Sequence, residues 1–590
     1  MKTNSLTRRS FLKTAAAATA VAQVAPLAAL EPTREVLRQL PYGAVTLTGG
    51  PLKQHYDAIH AHYLSLSNDR LLKVYRQRAG LPSPGSDMGG WYDLDGFVPG
   101  HSLGQYISGL ARIGATTGDP ACHQKVRELV AGFAATLGPD NQSILRPKTN
   151  LWTCYTLDKH FAGLIDALTL SHVEESRDLL NRVLSGSQSL LPAKGRDRIG
   201  KKDPPYDETF VMPENLFTAA ELTGNPAFTE LAHRYLLDKE LFNPLAAGDD
   251  PFPGQHAYSH AMALSSGAKA WLTLGDPRYK TALQNAFTLL TTQQQFASGG
   301  WGPNETFITP HRGELYNSLA TTVDHFETPC GSYAATKLAR YLLRFTADAQ
   351  CGDNLERVLY NTILAAKFPD ADGDYPYYST YSPGATKVYY QRKWPCCSGT
   401  LVQTVADYPL NIYFQSPTGL YVNLYAASEV KWKHNNIAIA LTQHTEYPVN
   451  DNITFAINPA TPTNFALSFR IPAWTKDASL NINGKRESTK LQPGAFATIH
   501  RRWKSGDKIE LTIPQTLRTE SIDDQHPNTV ALMRGPVQYV ALDTGEAAKG
   551  RPKLNRDINP IAPQVFTSNN KTHKPFYTIQ NESYDTYFDT

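Results

Sequence analysis

The sequence predicts a mainly α fold, an (α/α)6 barrel, followed by an all-β sandwich region. Two observations carry this. A helix-hairpin punctuation recurs as TGDP at Gly118, TGNP at Gly224 and LGDP at Gly275. Near Leu410 the texture then changes to short alternating segments. Gly suits a left-handed helix C-cap, and Pro suits the first turn of the next helix. Gly118 to Gly224 spans 106 residues, and HFAGLIDALTL, ending before Ser171, divides that interval; Gly224 to Gly275 spans 51. A further helix, SYAATKLARYLLRFTADA, ends near Asp348. About six hairpins over roughly 370 residues fit a closed toroid of helix pairs. Beyond Leu410, GLYVNLYAAS, NIAIALTQ, NFALSFRIPAW and KIELTIP alternate apolar and polar residues between Gly, Pro, Asn and Asp. That pattern reads as antiparallel strands of a sandwich. The expected organisation is an export signal over 1–30, a barrel over 31–410 and a C-terminal β-sandwich region over 411–590.

The first residues read SLTRRSFLKTAAAATAVAQVAPLAAL, with Arg8 and Arg9 ahead of a mild Ala-rich stretch and small residues for cleavage near Ala28 or Ala29. This pattern is that of a twin-arginine export signal and predicts a soluble, periplasmic protein. No run of 18 apolar residues predicts a membrane span. The net charge of +3, without a long basic run, argues against a nucleic-acid partner. Thirty Tyr, 23 Phe and eight Trp suit sugar-stacking surfaces and a large core equally.

Six cysteines in 590 residues are too few for a disulfide scaffold, although export would favour disulfides. A bond between the neighbours Cys396 and Cys397 would strain the peptide joining them; either could instead pair with Cys330 or Cys351. His101 lies 17 residues before Gly118, His260 15 before Gly275, and Cys330 17 before Ala347. If each starts the first helix of its hairpin, all three meet at one end of the toroid. HFETPC adds Glu327, three positions before Cys330. Glu327, Cys330, Cys396 and Cys397 together make a four-ligand set for zinc, which takes thiolate and carboxylate readily. The competing reading is two buried structural thiols beside an unrelated Cys330. A thiolate held near a cation is also a nucleophile. Glu305, in the Gly-rich aromatic loop SGGWGPNETF beside Trp301, is the candidate general acid.

The motifs GHSLGQYISGLA, MPENLFTAAELTGNP, HAYSHAMALSSGA, HFETPCGSY, ERVLYNTILAA, YPYYSTY and WPCCSGT are together specific. By them the chain resembles the glycoside hydrolase family 127 and 146 group, the β-L-arabinofuranosidase-like enzymes, over nearly its whole mature length. The resemblance implies an (α/α)6 barrel followed by β-sandwich structure, and a retaining exo-acting mechanism on a carbohydrate. It implies that Cys396 is the nucleophile and also a ligand of Zn2+, with Cys397, Cys330 and Glu327 completing the shell. Glu305 would be the acid/base, His260 would contact the sugar, and Tyr378 would lie by the nucleophile. His256, Glu214 and His101 follow as further substrate-binding carry-overs, and Trp301 is a further substrate-binding candidate. The chain departs from the family in its Glu-x-x-Cys spacing and in carrying Asp158 where a histidine is usual.

Two other readings remain open on the sequence. One is a glycan hydrolase or lyase on the same barrel, using carboxylate, His and Tyr chemistry with structural thiols. The other is a non-catalytic glycan-binding protein.

Overall fold

The computed structural model describes residues 34–142, 152–195, 207–321, 326–327, 329–370, 373–542, 551–555 and 557–590. The expected export signal lies outside the described residues.

Among the described residues, besides the short helices Asn243–Ala247 and Glu314–Thr321, the first part of the chain holds α1 Gly50–Ser65, α2 Asn68–Ala79, α3 Leu103–Thr117, α4 Pro120–Ala134, α5 Thr153–Leu170, α6 Glu175–Ser187, α7 Pro213–Thr223, α8 Pro226–Tyr235, α9 Ala257–Leu274, α10 Pro277–Leu289, α11 Pro329–Thr346, α12 Ala349–Val358 and α13 Cys397–Ala406. From α3 onward each odd-numbered helix packs on the next odd one, and α13 returns onto α3. These six close an inner ring, and the even-numbered helices lie outside it, giving the (α/α)6 barrel. The hairpin punctuation does what the sequence implies. Gly118 caps α3 at φ 72°, the Asp119 side chain accepts from Ala121 N, and Pro120 opens α4. The same three-residue device recurs at Gly224-Asn225-Pro226 and Gly275-Asp276-Pro277.

The inner helices touch neighbours on most sides, so they are buried nearly all round. Glycine sets how closely α3 and α5 cross. A Cβ on Gly104 would lie 1.8 Å from the Lys159 carbonyl oxygen, and one on Gly163 would lie 2.5 Å from that of Gly104. Away from the functional cavity, Asp407 ties the ring together. It accepts from Tyr42 at 2.8 Å and pairs with Arg112 of α3 at 3.2 Å and Arg340 of α11 at 2.8 Å.

The β region begins with a sandwich of two sheets. One has the order Arg38–Gln39, Tyr413–Ser416, Gly419–Val422, Thr463–Ile471, Ala495–Trp503. The other runs Lys485–Arg486, Ser479–Ile482, Asp507–Thr512, Asn452–Pro459, Ile437–Thr445, Ser428–His434, Val45–Leu47. Their inner faces meet through pairs such as Phe455 and Phe469, with ring centroids 5.1 Å apart. The two short strands ahead of α1 thus complete the sandwich. A third sheet, from Leu517–Ser521 onward, packs against the barrel instead: Met533, Val540, Phe576 and Tyr584 share a core with Phe296, Ile308, Leu315 and Tyr381. Among the described residues no helix is long and apolar enough to cross a membrane.

Candidate active site

Chemistry-bearing residues gather where the inner helices begin. His101 precedes α3, Tyr155 lies in the first turn of α5, and Glu208 precedes α7. His256 and His260 sit at the start of α9, Cys330 in the first turn of α11, and Cys396 and Cys397 open α13. The positive ends of the inner-helix dipoles therefore face one place, an environment that favours anions and thiolates.

A cavity of about 180 Å³ opens there, lined by Cys396, Glu305, Glu208, His256 and a ring of aromatics that includes Trp91, Trp152, Tyr155, Tyr258, Tyr377 and Tyr378. At its base, Cys330 Sγ lies 3.4 Å from Cys396 Sγ and 3.2 Å from Cys397 Sγ. All six cysteines are free, so no disulfide forms with Cys330 or Cys351. Cys330, Cys396 and Cys397 converge with ligand atoms within 4.8 Å of one another. Three sulfurs on a tetrahedral zinc stand about 3.8 Å apart, so this cluster fits a thiolate-bound metal after small adjustments. Burial raises Cys396, but hydrogen bonds from the Cys330 and Cys397 thiols outweigh it, and Cys396 is held well below the usual thiol range. Burial, with Cys330 and Cys396 beside it, pushes Cys397 well above that range.

Glu305 sits on a rigid loop. Phe307 N donates to Gln255 O at 2.9 Å, Gly254 N donates to Phe307 O at 2.9 Å, and Glu305 N donates to Gly302 O at 2.8 Å. Asn304 and Glu305 both adopt left-handed backbone, φ 56° and 59°, strain that the surrounding bonds hold in place. The Glu305 carboxylate accepts from the Tyr377 hydroxyl and, at 3.1 Å, from that of Tyr378. The Tyr377 hydroxyl lies close enough to the Cys396 sulfur to help lower that thiol. Across the cavity, His256 Nδ1 lies 3.0 Å from Glu208 Oε1 and 2.8 Å from Ser259 Oγ.

The other expected residues are placed as follows. His101 is buried beneath Tyr155, its Nδ1 2.7 Å from the Val98 carbonyl, and burial lowers it to about 4, so it is a neutral imidazole. His260 lies behind the wall, Nδ1 2.9 Å from the His256 carbonyl and its ring against Phe210. Trp301 does not line the cavity; it is buried against Phe307. Glu214 faces a separate polar chamber of about 210 Å³, where Lys337 and Tyr341 bind its carboxylate. Glu327 is described by its backbone, which pairs with Tyr378 across a two-stranded ribbon; its side chain lies outside the described residues. Sequence reasoning missed Glu208, Tyr377 and the Trp91 and Trp152 walls. The helix-start phase that singled out His101 would also have found Glu208, which lies one 3-10 turn, Thr209–Val211, ahead of α7.

A closed ring of helix hairpins with a cavity of thiols, carboxylates and aromatics at the inner-helix N-termini defines the architecture of a barrel enzyme. The catalytic-domain profile of the GH127 β-L-arabinofuranosidases matches residues 44–410, and that of the GH127 middle domain matches 419–515. The chain belongs to this family and is a glycoside hydrolase. In fold it is similar to a GH127 β-L-arabinofuranosidase from Geobacillus stearothermophilus T6, with TM-score 0.72 and 18% identity over 92% of this chain and 99% of that one. It is also similar to a second GH127 β-arabinofuranosidase, with TM-score 0.74 and 18% identity over 95% and 98% of the two chains. A search of curated proteins finds none that matches.

Proposed function

We propose that the protein is a retaining, exo-acting β-L-arabinofuranosidase in which Cys396 is the nucleophile and Glu305 the acid/base. The reading is supported above all by one observation: Cys396 and Glu305 line the same small cavity, with Tyr377 bonded to Glu305 and close to Cys396. A cavity of about 180 Å³ suits one pentose ring, hence exo action. In the first step the Cys396 thiolate attacks the anomeric carbon while Glu305 protonates the departing oxygen. A thioglycosyl bond forms and the glycosidic C–O bond breaks. In the second step Glu305 takes a proton from water, whose oxygen attacks the same carbon as the C–S bond breaks. Two inversions retain configuration. Tyr377 and Tyr378 aim the Glu305 carboxyl, and Trp91 and Trp152 offer faces for sugar stacking.

Zn2+ is the proposed metal, held by Cys330, Cys396 and Cys397 with Glu327 as fourth ligand; when bound, it keeps the sulfurs as thiolates at neutral pH. Export by the twin-arginine route, proposed from Arg8 and Arg9, would carry the folded enzyme to the periplasm with its metal in place.

The test is hydrolysis of 4-nitrophenyl β-L-arabinofuranoside beside the α-furanoside and pyranoside isomers. Release from the β-furanoside, with the β-anomer as first product by NMR, is expected; an inverted product, or no preference for that isomer, contradicts the reading. One observation favours a second reading. Glu208 and Glu305 line one cavity, as a carboxylate-pair hydrolase with structural thiols requires. That enzyme would keep its activity in the Cys396→Ala variant.

A further inference from the structure

A second convergence of metal-binding donors lies outside the cavity, where α1 meets the turn between α3 and α4. His60 comes from α1, Asp119 is the N-cap of α4, and Cys122 lies in the first turn of α4. His60 Nε2 is 3.2 Å from Cys122 Sγ and 3.0 Å from Asp119 Oδ2, and that oxygen is 4.0 Å from the sulfur. None of the three lines the functional cavity.

The thiol and the carboxylate approach the same ring nitrogen. In a nucleophile–His–Asp relay they use opposite nitrogens, so this is not a catalytic triad. One nitrogen offers a single proton or a single lone pair. It cannot make a full linear hydrogen bond to both partners. A cation at the centre of the triangle satisfies all three donors at once. Tetrahedral zinc with imidazole, thiolate and carboxylate ligands sets its donor atoms about 3.3–3.6 Å apart, and the three observed separations bracket that range.

The surroundings fit a small closed-in site with one open side. The Cys122 side chain is fully buried, whereas those of His60 and Asp119 are 19% and 27% exposed, leaving access for an ion and a water ligand. Asp119 Oδ1 accepts from Ala121 N at 2.9 Å, which orients the carboxylate and leaves Oδ2 for the site. Gly114 of α3 makes room for the cysteine, since a Cβ there would lie 3.0 Å from Cys122 Cβ.

We propose that His60, Asp119 and Cys122 bind a second divalent transition-metal ion, zinc by the mixed N, O and S donor set, clamping α1 to the α3–α4 turn. The site is structural: it has no substrate cavity, and it joins elements distant in sequence.

The experiment uses the full chain, stripped of metal, reloaded with Zn2+ and dialysed. Zinc per chain is counted by elemental analysis and the melting temperature is read with and without Zn2+. Wild type is expected to hold one zinc more than Cys122→Ser and one more than His60→Ala, and to gain a zinc-dependent rise in melting temperature that both variants lose. Both variants should keep glycoside hydrolysis within about twofold of wild type, because the clamp is remote from the reacting atoms. His60→Ala, at a part-exposed position, serves if Cys122→Ser does not fold. Equal zinc content and equal zinc-dependent stabilisation in wild type and variants overturn the proposal. Losing zinc only on Cys330→Ser would assign all the metal to the cavity cluster and overturn it equally.

Discussion

The Tyr377 hydroxyl donates a hydrogen bond to Oε1 of Glu305 while its ring stands against Tyr378, centroids 4.0 Å apart. The same hydroxyl is close enough to Cys396 to help lower its thiol, so one phenol acts on both proposed reacting groups. Tyr377→Phe keeps the ring and removes the bond. We expect kcat to fall about 10- to 100-fold, the range that small misplacement of a catalytic group costs. The loss should be smaller on an activated aryl glycoside than on a disaccharide. Equal kinetics on both substrates would contradict the role.

Glu305→Gln removes the proton donor but keeps its size. Hydrolysis of glycosides with poor leaving groups should drop about 10²- to 10⁴-fold, the usual worth of general acid catalysis. A good leaving group departs without a proton, so the first step on an aryl glycoside should survive and the second become limiting. A pre-steady-state burst of aryl release in the variant checks this.

Asp407 is buried and holds two arginines, Arg112 and Arg340. Asp407→Asn takes from Arg340 the carboxylate it pairs with in the barrel interior, while Arg112 keeps Asp166 at 2.8 Å. Breaking such a buried pair costs about 3–5 kcal/mol. Denaturant unfolding should show that loss, and an unchanged midpoint would contradict it.

Stability should fall on acidification from about pH 6.5. Burial lowers His55 and His573 to about 4; burial, with Lys159 and His101, lowers His160 to about 3. Between those values and 6.5 the unfolded chain binds protons that the native state does not, so stability rises with pH in that window. Burial raises Asp158 and Asp207 to about 6, which acts in the opposite sense between about 4 and 6. His101, lowered to about 4 by burial, adds to the histidine side, while burial also raises Asp93, Asp250, Asp353 and Glu356. The histidines therefore govern the upper part of the window, and the melting temperature should decline from pH 7 to pH 6; a flat pair would contradict this.

Where a feature depends on neighbouring residues, the sequence carries it openly. Gly118, Asp119 and Pro120 act within one turn, so the hairpin rhythm and the barrel class are legible from them. The common phase of His101, His260 and Cys330 is legible for the same reason, because each marks the start of an inner helix. Features set by distant partners are not. Val45–Leu47 is a strand because Val430 lies beside Val45, hundreds of residues away. Glu214 starts an inner helix, yet Lys337 of α11 draws its carboxylate into the second chamber. Trp301 has the composition of a sugar platform, but its loop turns it inward onto Phe307. Tyr377 and Tyr378 are equivalent by composition, and only the fold places the first between Glu305 and Cys396.

The central claim is that Cys396 forms a bond to the sugar. The direct measurement is acid-quench of the enzyme during turnover of an aryl β-L-arabinofuranoside, followed by peptide mass mapping. Using Glu305→Gln, whose second step is slowed, should let the adduct accumulate. The account predicts one dehydrated pentosyl unit on the peptide containing Cys396, absent when Cys396→Ser is added. A pentosyl unit on Glu208, or turnover by Cys396→Ser at the wild-type rate, would contradict it.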